Sequence, residues 1–227
     1  MLNSDLQNTY VISDVHGCYH TLMALLKKLP SNAKLIFLGD LCDRGLYSKE
    51  VIEFVKSNNY PCILGNHDFY LLDNIEACLN GAKVRWNTKE YMGGVETIEN
   101  YKENLSLLKE HLKWIKTLPQ YLIIKKYFIT HAFCMPYFKR KDDKSKRHAM
   151  MTNRVSDKEE WDWDWEKNWK TYDYINIYGH ESSKEIVKKH NYICIDTSCV
   201  YGGKLTALNL QTLEVVQQEL IRKDVLL

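Results

Sequence analysis

Apolar residues recur along this chain in two periods, and the alternation between them predicts its architecture. The run "TYVIS" at residues 9–13 is short and apolar, as a buried strand is. From His20 to Leu29 the period changes, and Leu22, Leu25, Leu26 and Leu29 fall on one helical face. "KLIFLGD" follows as a second strand, and Ser48 stands where it can cap a helix with Val51, Ile52 and Val55 facing inward. "PCILGN" reads as a third strand, and a further helical stretch runs from Phe69 to Leu79. This β-α-β-α-β rhythm predicts a mostly parallel sheet covered by helices.

The second half is less regular. Gly81 to Gly94 reads as a connection, Leu105 to Leu118 as an amphipathic helix, and "YLIIKKYFITHA" as two strands around a Lys-Lys turn. Residues 139–148, "KRKDDKSKRH", are expected to form a solvated, mobile loop. In "EEWDWDWEKNWKTYDY", Trp161, Trp163, Trp165 and Trp169 interleave with acids, which fits a half-buried lid or strand, or a wall that accepts a flat aromatic group. "NIYGH", "YICIDTS", "KLTALNL" and "EVVQQEL" make the end of the chain rich in strands. With no repeat, low-complexity tract or linker, residues 1–227 are expected to form a single domain.

Composition narrows the function by exclusion. The chain is 45% hydrophobic and 26% charged with a net charge of +2, so nothing draws it as a whole to a nucleic-acid polymer or an anionic membrane. "MLNSDLQN" lacks the basic and apolar regions of a secretory signal, and no apolar stretch approaches the ~20 residues of a membrane span. The seven cysteines are odd in number and form no C-x-x-C pair, which argues against a disulfide framework and against a thiolate zinc site. A cytoplasmic setting with reduced thiols is the expectation.

The chemistry lies at the ends of the strands. Asp14-Val-His16-Gly follows the first, and in an extended segment residues i and i+2 share a face, so both side chains can grip one object. Gly39-Asp40-Leu-Cys-Asp43-Arg44-Gly45 follows the second strand and Gly65-Asn66-His67-Asp68 the third, while "FITHA" ends in His131 and "IYGHE" in His180. One such motif is a turn or a cap; five at carboxyl strand ends, where α/β sheets form ligand crevices, point to a shared site. Oxygen and imidazole ligands without thiolate suit manganese, iron or zinc in an open site. There are enough donors for two ions, and two cations ~3.5–4 Å apart can activate a bridging water and orient a phosphoryl group.

The ordered set D-x-H-G, G-D-x-x-D-R-G, G-N-H-D, H-A and G-H resembles the calcineurin-like metallophosphoesterases, and within them the phosphoprotein phosphatase group, over Tyr10 to Leu210. "IDTSCVYGGKLTALNL" is similar to that group's closing strands. The resemblance implies an α/β fold, a four-layer α/β/β/α sandwich with two mixed sheets. It also implies two divalent ions, manganese foremost, with iron or zinc as alternatives. Asp14 and His16 would bind one ion, Asp40 would bridge, and Asn66, His131 and His180 would complete the second. His67 would be the general acid, Asp43 would orient its imidazole, and Arg44 would clamp the phosphate. For the family's second phosphate-binding arginine, Arg154 in "MTNRVSD" is chosen over Arg140 and Arg147, which sit in the charge-dense segment.

The implied activity is hydrolysis of phosphoserine, phosphothreonine or phosphotyrosine on phosphoprotein or phosphopeptide substrates by attack of a metal-bridging hydroxide. The alternative is a bis(5'-nucleosyl)-tetraphosphatase acting on a dinucleoside polyphosphate and yielding ADP from diadenosine tetraphosphate; a non-catalytic scaffold is the third reading. Asp43 favours the protein phosphatases. Asp68, where glutamate is common, is also typical of the dinucleotide enzymes. Two further departures are Ser13 in place of the usual glycine and "GHESS" without the threonine and proline often found there.

Overall fold

The computed structural model describes residues 6–88, 92–155 and 170–226. The Trp-rich stretch 161–169 lies outside the described residues. Its fold is two mixed sheets packed face to face with helices on both outer sides, the expected α/β/β/α sandwich. The first sheet has the order β2-β1-β8-β9, with β1 Thr9–Ile12, β2 Lys34–Phe37, β8 Lys204–Asn209 and β9 Val215–Glu219. The second has the order β3-β4-β5-β7-β6, with β3 Tyr121–Ile124, β4 Tyr127–Thr130, β5 Ile175–Tyr178, β6 Val187–Lys188 and β7 Tyr192–Cys194.

The layering follows from the period-2 rule. In β1, Tyr10 and Ile12 face the helix-side core while Val11 faces the core between the sheets. In β4, Tyr127 and Ile129 point to the inter-sheet core, and Phe128 points outward against Phe133, Met135 and Met150. Strands buried on both faces read as continuous apolar runs, which is why "YVI" and "YFI" stand out in the sequence.

Helices α1 Tyr19–Leu26, α2 Ser48–Ser57, α3 Asn66–Leu79, α4 Gly94–Tyr101 and α5 Leu105–Ile115 lie in the first half, and α6 Arg147–Thr152 in the second. Leu22 and Leu25 of α1 and Val51, Ile52 and Val55 of α2 are wholly buried in the helix-side core. A fully buried aliphatic side chain contributes about 1.5–3 kcal/mol.

Several expectations are corrected. The first sheet is not mostly parallel: β1 pairs parallel with β2, but β8 returns antiparallel on its other edge. "PCILGN" contributes only one bridge, Phe37 to Cys62, because the chain must turn at once into α3. Ser48 is the first residue of α2 rather than its cap, and its hydroxyl accepts from Asp43 N at 3.1 Å. The "connection" from Gly81 holds a 3-10 turn, Arg85–Asn87, and α4 begins at Gly94. Residues 139–148 are not a bare loop: 3-10 turns Met135–Arg140 and Lys144–Lys146 lead into α6, with Arg140 bridged to Asp143 at 2.6 Å. No helix among the described residues is long and apolar enough to cross a membrane.

Candidate active site

Five of the strand ends converge as the sequence predicts. Loops after β1, β2, β4 and β5, and the start of α3, bring Asp14, His16, Asp40, Asn66, His67, His131 and His180 together; all but His131 line one cavity of about 410 Å³, and His131 lies beneath it, wholly buried. Arg44 and Arg154 line the same cavity. Arg140 and Arg147 are not among its lining residues.

The loops achieve this with backbone that most side chains avoid. His16, Asp40, Asp43, Arg44 and His180 all have left-handed backbone, at φ of 45°, 48°, 72°, 69° and 64°. The extended geometry expected for Asp14-Val-His16 therefore does not hold, because the chain turns at His16-Gly17. They fall into separate clusters, Asp14–Asp40–His131 and His16–Asp40–His67, in which ligand atoms approach within 4.8 Å. Asp40 is common to both.

Three of the site's imidazoles, His16, His67 and His131, are held by a partner on Nδ1. His16 Nδ1 pairs with the carbonyl of Cys42 at 2.8 Å, and His131 Nδ1 with that of Leu38 at 2.8 Å. Each thereby donates Nδ1–H to a backbone oxygen, which fixes the ring and leaves Nε2 as the nitrogen that would meet a metal, the usual arrangement of a ligating histidine. His131 Nε2 meets Asn66 Oδ1 at 2.8 Å and Asp40 Oδ1 at 3.4 Å. His67 differs, because its Nδ1 pairs with a carboxylate, Asp43 Oδ2, at 2.7 Å.

The electrostatics show a site built for positive charge. Burial, with Asp196 next, raises Asp14 well above the usual carboxylate range. Burial alone would lower His131, but Asp40 and Asp14 overcome it and hold this imidazole up at about 10. Asp40 is held well below the usual range, against its own burial, by His131 and His67. Burial and then the His131 charge push His180 down to about 3. Asp14 Oδ1 is buried with no hydrogen-bond partner among the described residues. A Cβ on Gly179 would lie 2.0 Å from that oxygen, so glycine there keeps space beside it. An orphaned carboxylate oxygen among imidazoles, an amide oxygen and a second carboxylate fits divalent cations.

Four features were not read from the sequence. Asp196 follows β7 and also lines the cavity, so the strand-end rule could have found it. Its oxygens accept from Ser198 N at 2.9 Å and Ser182 Oγ at 2.8 Å. Tyr70 and Tyr201 line the cavity too, and the Arg44 guanidinium sits 5.2 Å from the Tyr201 ring centroid. Trp86 donates its indole N–H to Asp43 Oδ2 at 2.6 Å; only its being a lone aromatic in "KVRWNTKE" could have marked it.

Asp68, the departure that points toward the dinucleotide enzymes, is a structural residue of the motif loops. It is wholly buried, accepts from Asp40 N at 2.8 Å, Leu41 N at 3.0 Å and Gly65 N at 3.1 Å, and is not among the cavity-lining residues. It ties two motif loops together.

Curated relatives cover nearly the whole chain. It is 29% identical over 235 residues to the bis(5'-nucleosyl)-tetraphosphatase PrpE [asymmetrical] of Anoxybacillus flavithermus, covering 91% of each chain. Against the protein of that name from Bacillus subtilis it is 30% identical over 234 residues, covering 91% of this chain and 92% of the relative. Among solved structures, a candidate diadenosine tetraphosphatase superposes with a TM-score of 0.66 at 19% identity, over 93% of this chain and 92% of that one. The cold-active protein-tyrosine phosphatase of a psychrophilic Shewanella superposes at 0.60 with 18% identity, over 94% of this chain and 80% of that one. A profile of the calcineurin-like phosphoesterases matches residues 8–180, the segment that supplies the whole set of strand-end motifs. The chain belongs to the calcineurin-like phosphoesterase family.

Proposed function

We propose that the protein is a dinuclear-metal hydrolase of dinucleoside polyphosphates that cleaves a tetraphosphate bridge asymmetrically. What carries this reading is identity of 29% and 30% to relatives of that name, over nine-tenths of both chains. This turns the reading of the sequence around: the phosphoprotein substrate moves to second place. The Asp43–His67 pair is the one observation that still favours it.

Asp14, His16, Asp40, Asn66, His131 and His180 are the residues that would hold the two ions, with manganese the first choice and iron or zinc next. Bound there, divalent cations supply positive charge to the phosphoryl oxygens and make water a better nucleophile at neutral pH. The chain's own residues do the rest. Arg44 and Arg154 direct guanidinium donors at the phosphate oxygens and align the phosphorus for in-line attack. His67, with Nδ1–H held by Asp43, presents Nε2–H to the leaving oxygen. One P–O bond forms to water and one breaks to the leaving phosphate; the leaving oxygen takes the His67 proton, and the proton lost by water restores the imidazole. Tyr70 and Tyr201 flank the cavity with aromatic surface for a nucleobase.

The test is product analysis. Diadenosine tetraphosphate with manganese should give equal amounts of ATP and AMP, and release of phosphate from phosphopeptides should be far slower. ADP as the product would mean symmetrical cleavage, and phosphopeptide turnover faster than that of the dinucleotide would restore the protein-phosphatase reading.

A further inference from the structure

Asp43 has more partners than orienting one imidazole requires. Its Oδ2 receives both His67 Nδ1 at 2.7 Å and the Trp86 indole N–H at 2.6 Å, while Oδ1 receives the Thr97 hydroxyl at 2.7 Å. Its backbone N–H is shared between Thr97 Oγ1 at 2.9 Å and Ser48 Oγ at 3.1 Å. The carboxylate is wholly buried, so none of these donors competes with bulk water.

The new donors belong to one segment. Trp86 sits on the 3-10 turn before α4 and is buried, and Thr97 lies in the first turn of α4. Between them, Gly93 at φ 74° accepts the backbone N–H of Arg44 at 3.0 Å, and Gly94 packs so tightly on the indole that a Cβ would lie 2.4 Å from its Cε2. Trp86 and Thr97 thus grip Asp43 through both oxygens, and Gly93 grips Arg44 through its backbone. Asp43 and Arg44 are left-handed and neither is glycine, so this stretch depends on outside contacts to hold its shape.

We infer that Trp86 and Thr97 are positioning residues for proton donation to the leaving group, fixing the plane of the Asp43 carboxylate so that His67 Nε2 stays aimed into the cavity. The inference rests on the reading of His67 as the acid. With donors on Oδ1 and on the far side of Oδ2, the carboxylate cannot rotate about its Cβ–Cγ bond, and the imidazole it holds cannot swing. With either donor gone, the Nδ1–H···Oδ2 bond loses its fixed direction, and the Nε2 proton meets the leaving oxygen less often in line. Chemistry that needs no proton on the leaving group is untouched.

The experiment compares two aryl phosphates that share a phosphoryl group and differ in the basicity of the leaving oxygen. In saturating manganese, Trp86→Phe and Thr97→Val should each lower kcat for phenyl phosphate by about 10-fold, the scale of one hydrogen bond to a charged acceptor. For 4-nitrophenyl phosphate, whose leaving group departs without a proton, kcat should stay within about 2-fold, with KM and bound metal unchanged. Thr97→Ser keeps the hydroxyl and should restore phenyl phosphate turnover. Equal losses on both substrates, no loss on either, or a Thr97→Ser variant as slow as Thr97→Val would overturn the inference. Should Trp86→Phe not fold, the Thr97 pair decides alone. His67→Asn separates the two levels: without a leaving-group dependence of its own, the acid assignment fails; with one that Thr97→Val does not share, only the positioning role fails.

Discussion

Replacing Asp68 with Asn will loosen the loops that carry the metal-ligand candidates, although it replaces none of them. The carboxylate accepts three backbone N–H groups, with Oδ2 taking those of Asp40 and Gly65 and Oδ1 that of Leu41. An amide offers one oxygen and one NH2. In its better orientation it keeps the two bonds at Oδ2 and turns N–H against the N–H of Leu41. That loses one hydrogen bond to a charged acceptor, about 1.5–3 kcal/mol, and orphans a buried donor at about 1–3 kcal/mol. Against this, Asn removes a charge whose burial, with Asp40 alongside, pushes Asp68 up to about 6. The relief offsets part of the loss, which leaves a net destabilisation of about 2–4 kcal/mol. For a chain of this size each kcal/mol moves the melting temperature by ~2–4 °C, so a fall of ~4–16 °C is expected. Circular dichroism melts at pH 8 in chelator keep Asp68 ionised and keep metal affinity out of the comparison. A variant that melts within about 2 °C of the parent under those conditions refutes the account of Asp68 as the tie between the two loops.

Three further outcomes follow from the same geometry. Treatment with chelator should abolish turnover, and adding back manganese should restore it and raise the melting temperature, by about 2.7 kcal/mol of stability at a hundredfold excess over Kd; a melting curve indifferent to manganese counts against the ligand set. Arg44→Lys keeps the charge but loses the guanidinium fork and its seat on Tyr201, so kcat/KM should drop about 10–100-fold, whereas a change under about 2-fold excludes Arg44 from the phosphate clamp. Away from the site, burial lowers His111 below its ordinary 6.5, while its Nε2 donates to Glu53 at 2.6 Å and thereby lowers Glu53 below 4.5. Both shifts have one sign: a depressed histidine and a depressed carboxylate each contribute stability that acidification removes, beginning near pH 6.5 with His111. Melts of the metal-free protein should fall from pH 7 to pH 5 less steeply in His111→Gln, and parallel slopes would reject the assignment.

Much of the site was legible because strands buried on both faces are conspicuous, and polar residues at their ends have little structural reason to recur. Asp14, Asp40, Asn66, His131 and His180 follow from that alone, and Arg154 was separable from Arg140 and Arg147 because those two lie in the charge-dense segment 139–148. Asp196 obeyed the same rule after "YICI" and was passed over because the other motifs already filled the ligand set. Contacts between distant segments left no such mark. Thr97 in "GGVETIENY" looks like any helix residue, and nothing local says that its hydroxyl meets a carboxylate fifty-four positions earlier. The mixed character of the first sheet was hidden for the same reason: β1 finds its antiparallel neighbour, β8, at the other end of the chain. Asp68 is a different case: its identity pointed toward the dinucleotide enzymes, as the relatives do, although its carboxylate is buried and ties loops together instead of lining the cavity.

The five left-handed residues of the site have a consequence for how such proteins age. At His16, Asp40, Asp43, Arg44 and His180 the backbone favours glycine and the chemistry forbids it. Mutation to glycine at any of them relieves roughly 1 kcal/mol of local strain while deleting a functional group. A gene copy released from selection for turnover therefore drifts downhill only where the side chain holds no buried partner, whereas glycine at Asp43 would orphan the Trp86 and Thr97 donors and cost more than the strain it relieves. Glycine at such a position in a descendant would be the fingerprint of a retired enzyme, recognisable before its fold had changed at all.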